Sequence, residues 1–130
     1  GKDVHAPGLY LHISLEECFI GAGMWRPDGP SLKAIREKID AEQARFLSIV
    51  QDPAFTAVFE RQGEQLQRGP RDWPKDHPLL EELKRKDHIA VCPVDDEVLT
   101  RADLPDHLVD RLRLAAPFMR FLCEAIEQPF

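Results

Sequence analysis

Six cations fall within the nineteen residues Arg68–Lys86: Arg68, Arg71, Lys75, Lys84, Arg85 and Lys86. Trp73 and His77 are interleaved among them and His88 follows. Arginine offers a planar fork of donors suited to phosphate or carboxylate, and lysine adds a compact point charge. This stretch is the strongest candidate for holding an anionic ligand. The plainer reading stands beside it: Lys84, Arg85 and Lys86 close a predicted helix, where cations favour the dipole and form a solvated cap.

A second candidate is His12, with Tyr10, Glu16 and Glu17 close by in the chain. An imidazole beside a carboxylate can act as a general base, with a tyrosine to orient substrate. On a strand, the same histidine is more commonly a half-buried, hydrogen-bonded side chain. Asp3, His5 and His12, with His77 or His88, are the only conceivable metal ligands, and no HxxH, HExxH or CxxC spacing supports them. Asp95, Asp96 and Glu97 lack the glycine and alternating ligands of a calcium loop. No phosphate-binding glycine loop and no nucleophile elbow occurs. We therefore expect no metal and no cofactor. Cys18, Cys92 and Cys123 have no neighbouring base in sequence and read as reduced, partly buried thiols.

These side chains need a scaffold, and bulk properties bound it. At 130 residues and 43% hydrophobic, the chain suits one domain with a real core. A net charge of −6 argues against nucleic acid and acidic membranes as partners. No apolar run approaches the ~20 residues of a membrane helix and no signal peptide opens the chain, so the expectation is cytoplasmic. The eleven prolines mark the ends of elements.

The scaffold is organised around Gly8–Trp25, which reads as a β-hairpin. Leu9, Leu11 and Ile13 alternate with Tyr10, His12 and Ser14, and Ile20, Ala22 and Met24 alternate with Phe19, Gly21 and Gly23. A four-residue loop, Leu15–Cys18, sets Ile13 opposite Ile20, His12 opposite Gly21 and Tyr10 opposite Gly23. The two glycines then leave a shallow trough beside Tyr10 and His12, walled by Trp25, unless a helix packs on that face. A helix begins at Pro30, capped by Asp28 or Gly29, with Leu32, Ile35 and Ile39 inward. Asp40 and Gln43 suggest a capping box for a second helix burying Phe46, Leu47 and Val50. Asp52-Pro53 opens a short third helix carrying Phe55, Val58 and Phe59.

Glu64–Arg68 has the makings of a short strand. Asp76 or His77 caps a helix from Pro78 that buries Leu79, Leu80 and Leu83. Ile89–Val94 reads as a strand, placed by Pro93 at an edge or ending there. The last helix runs from Asp103 or Leu104 to about Glu127, with Leu108, Val109, Leu112, Ala115, Met119, Leu122 and Ile126 inward. Pro117 should kink or split it. The fold class is α+β: a small antiparallel sheet on the N-terminal hairpin, four to five covering helices, and a long C-terminal one. Such a sheet leaves edges, so a homo-oligomer is expected.

The runs HAPGLYLHIS, GAGMWRPD, RGPRDWPKDHPLLEELKRKDHIAV and APFMRFLCEAI, in that order, resemble the bacterial proteins grouped as domain of unknown function 2461. Members of that family are typically longer at the N-terminus. The resemblance implies that residues 1–130 form one α+β domain lacking an N-terminal portion. It implies fold and cytoplasmic location more than activity.

Two functional readings follow. The first is a non-catalytic binding or assembly module whose site residues are Arg68, Arg71, Lys75, Lys84, Arg85, Lys86 and Trp25, taking a small anionic ligand or protein partner. The alternative is an enzyme with its site around Tyr10, His12 and Trp25, completed by missing or partner-subunit residues.

Overall fold

A computed structural model describes residues 6–95, 97, 100 and 102–127. Asp3, His5 and Asp96 lie outside the described residues. The elements are β1 (Gly8–Ile13), β2 (Cys18–Met24), α1 (Gly29–Ala41), α2 (Gln43–Val50), α3 (Pro53–Thr56), β3 (Glu60–Gln62), α4 (Leu80–Leu83), β4 (His88–Pro93) and α5 (Leu104–Ala125). The strands form one antiparallel sheet in the order β1-β2-β4-β3. The α+β class and the N-terminal hairpin are as the sequence predicts.

The hairpin register differs from expectation by two residues. Tyr10 lies opposite Gly21, His12 opposite Phe19 and Ile13 opposite Cys18. The turn is made by residues 14–17, because Ser14 closes it twice: its amide donates to the Glu17 carbonyl at 2.9 Å, and its hydroxyl donates to the same oxygen at 2.8 Å. An even shift leaves every side chain on its predicted face. Ile20, Ala22 and Met24 are fully buried in the core, while Ile13, beyond the helices, is 61% exposed.

The trough predicted over the glycines is filled. A Cβ on Gly21 would fall 2.1 Å from Cζ of Tyr10, so the tyrosine ring occupies that space. Gly23 has a different task. It takes φ +117°, and a Cβ there would sit 2.1 Å from the His88 carbonyl and 3.0 Å from the Phe118 ring of α5. One glycine accommodates a ring from the adjacent strand, the other a strand backbone and a helix.

β4 is a central strand rather than an edge, between β2 and β3, and Pro93 sits at its end opposite Phe19. β3 comes earlier than the predicted Glu64–Arg68 strand, of which only a bridge between Gln65 and Arg85 remains. The Asp28 carboxylate caps α1 by accepting from the Ser31 amide at 2.9 Å, as expected. α1 continues to Ala41, past Asp40, so that aspartate is freed from capping α2 and serves elsewhere. α5 passes through Pro117 unbroken. It buries Ala115, Phe118, Met119, Phe121 and Leu122, but Val109 and Leu112 face solvent at 47% and 37% exposure. The predicted inward stripe therefore holds at Ala115, Met119 and Leu122, with Leu108 and Ile126 partly buried against the core, and fails at Val109 and Leu112.

Gly23→Ala is expected to destabilise the fold by at least ~1–3 kcal/mol from backbone strain alone, with the clash against β4 added. Chemical denaturation measures it; an unchanged midpoint would mean that β2 tolerates a side chain there.

Candidate functional site

The loop before α4 is a chain of tight turns. Trp73 N–H donates to the Pro70 carbonyl at 3.2 Å, His77 N–H to Pro74 at 3.1 Å, and Leu80 N–H to His77 at 3.1 Å. Proline fixes φ at the start of each of the first two turns. The loop is fastened by His77, whose side chain is only 5% exposed. Its Nδ1 accepts from the Leu79 amide at 3.0 Å, which leaves the proton on Nε2 to meet the Asp40 carboxylate of α1 at 2.7 Å. Trp73 packs edge-on against His77, with ring centroids 5.8 Å apart. Its other end is tied by Leu66 N–H donating to the Lys84 carbonyl at 2.7 Å and Lys86 N–H donating to Glu64 at 2.8 Å.

This arrangement brings four of the predicted cations together. Arg68, Arg71, Lys75 and Lys84 line a groove of about 690 Å³, with Pro70, Trp73 and Leu80 among its apolar lining. Lys84 is held at 3.2 Å by Glu81. Among the described residues, Arg68, Arg71 and Lys75 have no carboxylate within ion-pair distance.

The other three predicted ligand residues are elsewhere. Arg85 points inward, its Nε donating to Glu82 at 3.0 Å, with only 15% of its side chain exposed. Lys86 borders a separate hollow of about 340 Å³ with Arg26, Glu64 and the Asp87 carboxylate. Trp25 lines a third hollow, of about 270 Å³, with Phe19, Gln62 and Val91 on the sheet face away from the helices.

On that face the Trp25 indole N–H donates to the Tyr10 hydroxyl. Burial raises the Tyr10 phenol above its ordinary pKa, the hydrogen bond from Trp25 pulling it back only in part. His12 is exposed and stacks on Phe19 with centroids 4.6 Å apart. Among the described residues no carboxylate reaches His12, so Glu16 and Glu17 are not its partners. Among the same residues no three His, Cys, Asp or Glu side chains cluster as metal ligands.

One polar group that sequence reasoning missed lies beneath the site. Arg61 of β3 turns its guanidinium into the core, 4.8 Å from the Phe118 ring centroid and 5.8 Å from that of Phe46. Its Nε donates to the Ile89 carbonyl at 3.2 Å, and Nη1 is 3.1 Å from Glu82, which also holds Arg85. Burial lowers its pKa to about 10, Glu82 acting in opposition, so it stays charged at neutral pH. Arg61 Nη2 lies 3.4 Å from Nδ1 of the fully buried His88. A guanidinium can only donate, so Nδ1 accepts and the His88 proton sits on Nε2. That Nε2 has no hydrogen-bond partner among the described residues. The lone apolar residue of the Phe59-Glu60-Arg61-Gln62 stretch gave no sign that its arginine would turn inward.

Fold and site together define an α+β domain whose antiparallel sheet is backed by helices and which carries Arg68, Arg71 and Lys75 on one proline-rich loop. The chain belongs to the family described as conserved hypothetical protein (DUF2461), whose model matches residues 1–121. No curated protein and no solved structure matches it. No helix among the described residues is long and apolar enough to cross a membrane.

Burial, and then the charges of Arg61, Arg85 and Arg36, depress the His88 pKa well below 6.5. The unfolded chain takes up this proton as pH falls through about 6.5 while the folded chain refuses it. Stability is therefore expected to fall from pH 6.5 towards pH 5, by up to ~1.4 kcal/mol per pH unit. His88→Gln should flatten that limb in denaturation curves. Losses at lower pH should persist, because Arg45 and Lys38 hold the Glu124 carboxyl down at about 2. An identical slope in the variant would place the titrating group elsewhere.

Proposed function

We propose that this chain is a binding module, and that the groove edged by Arg68, Arg71, Lys75 and Lys84 takes an anionic ligand or partner without acting on it. One observation carries the reading: every charged side chain lining that groove is a cation, in a chain whose net charge is −6. A solubilising face would interleave both signs, as the Lys33–Glu37 pair of α1 does. A local positive field on an otherwise acidic molecule draws an anion to that patch. The groove's volume falls within the ~300–1,000 Å³ common for small-molecule sites.

Calorimetry with pyrophosphate tests this. Charge-assisted hydrogen bonds contribute about 1.5–3 kcal/mol each, so Arg68→Ala combined with Arg71→Ala is expected to weaken binding at least ~10-fold. Arg85→Ala should instead lower stability, since it uncovers Glu82. Absence of binding, or equal binding by the double variant, overturns the reading.

We further propose that the chain forms a homo-oligomer through β1. This strand pairs with β2 alone among the described strands, and its end carries the exposed Ile13. Light scattering should show a species larger than one chain, reduced to a monomer by Ile13→Lys. A monomer at high concentration in the unaltered protein removes the proposal.

A further inference from the structure

The basic groove does not end at Trp73. Pro70 and Trp73 also line an adjoining groove of about 350 Å³, whose other walls are Lys33, Arg36, Glu37 and Asp72. The two grooves differ in charge. The first carries only cations, whereas the second balances two carboxylates against Lys33 and Arg36. Arg36 is already committed, its Nε donating to the Leu83 carbonyl at 2.8 Å. Lys33 sits at 4.0 Å from Glu37, a loose and solvated contact. Carboxylates repel phosphate but accept readily from hydroxyl and amino groups. A ligand spanning both grooves is therefore oriented: its phosphates at Arg68 and Arg71, its donor-rich end at Asp72 and Glu37, and the indole between them.

From this juxtaposition we infer that the ligand is a nucleoside diphosphate. The inference rests on the anion-groove reading above and adds the organic half of the ligand. A diphosphate matches a groove with four cations. A nucleobase suits an indole face, where stacking contributes about 1–3 kcal/mol per base. The ribose diol supplies the donors that a carboxylate pair accepts. Asp72 stands inside the basic run itself, between Arg71 and Trp73, so one short loop presents all three functions.

Calorimetry on the unaltered chain with ADP, pyrophosphate and adenosine tests the inference. ADP is expected to bind at least ~10-fold more tightly than pyrophosphate, about 1.4 kcal/mol, with adenosine far weaker than either. Glu37→Gln combined with Asp72→Asn should narrow the advantage of ADP over pyrophosphate without weakening pyrophosphate. In a Trp25→Phe background Trp73 is the remaining tryptophan; its fluorescence should respond to ADP and not to pyrophosphate. Equal affinities for ADP and pyrophosphate overturn the nucleotide assignment and leave the anion groove standing. A preference for ADP undiminished in the double variant overturns the placement of the ribose before Asp72 and Glu37. Failure of both ligands to bind overturns this inference and the anion groove together.

Discussion

The structure depends on one buried cation. Arg61 sits on the short edge strand β3, yet its guanidinium reaches four other elements: the β4 backbone at Ile89, Glu82 of α4, the Phe46 ring of α2 and the Phe118 ring of α5. A three-residue strand with little apolar surface has weak reason to dock, and this side chain supplies it. The arrangement is also exposed to failure. Removing one partner of a buried ion pair strands the other charge and typically costs about 3–5 kcal/mol. Glu82 is shared by Arg61 and Arg85, so its loss would leave two cations uncompensated.

The same constraint sets where the surface cations go. Arg85 is drawn inward to Glu82, while its neighbours Lys84 and Lys86 line two separate hollows. The loop facing α4 is then fixed from two directions. Asp40 holds His77 at one end, and the short ladder between residues 64–66 and 84–86 holds the other. Asp87, buried just past that ladder, accepts from the Arg26 amide at 2.7 Å and the Glu64 amide at 2.9 Å, joining the turns that follow β2 and β3. A loop pinned in this way has already met its backbone ordering cost, whereas the exposed side chains of Arg68, Arg71 and Lys75 still have rotamer freedom to lose to a ligand.

Much of this was legible in the sequence because it depends on periodicity and caps. The alternation in β1 and β2 assigned the buried face correctly even with the register displaced, since a shift of two preserves faces. What misled was the turn: Ser14 has strand-like alternation, and its local hydrogen bonds to Glu17 compete with the ladder and win. The loop cations were legible as a cluster, but not which four of them line one groove. Their spacing says nothing of which side chain turns inward, and that was decided by Glu82, three residues before Arg85. Val109 and Leu112 keep helical spacing with the true core residues, so only tertiary placement separates them. Arg61 left no trace, because inward arginine is justified by partners distant in sequence.

The fate of the aromatic face follows from the same register. With Tyr10 opposite Gly21 rather than Gly23, its ring lies over the glycine and its hydroxyl meets Trp25. The groups that would have bounded a catalytic trough instead cover the sheet, shielding Ile89 and Val91, which are buried on β4. A hydroxyl engaged by an indole and raised in pKa by burial is a poor proton donor or acceptor at neutral pH. Among the described residues, no carboxylate holds the imidazole that stacks on Phe19. Among the described residues it is Arg68, Arg71 and Lys75, on the loop before α4, that have no carboxylate within ion-pair distance, so unpaired charge gathers on that loop and not on the aromatic face.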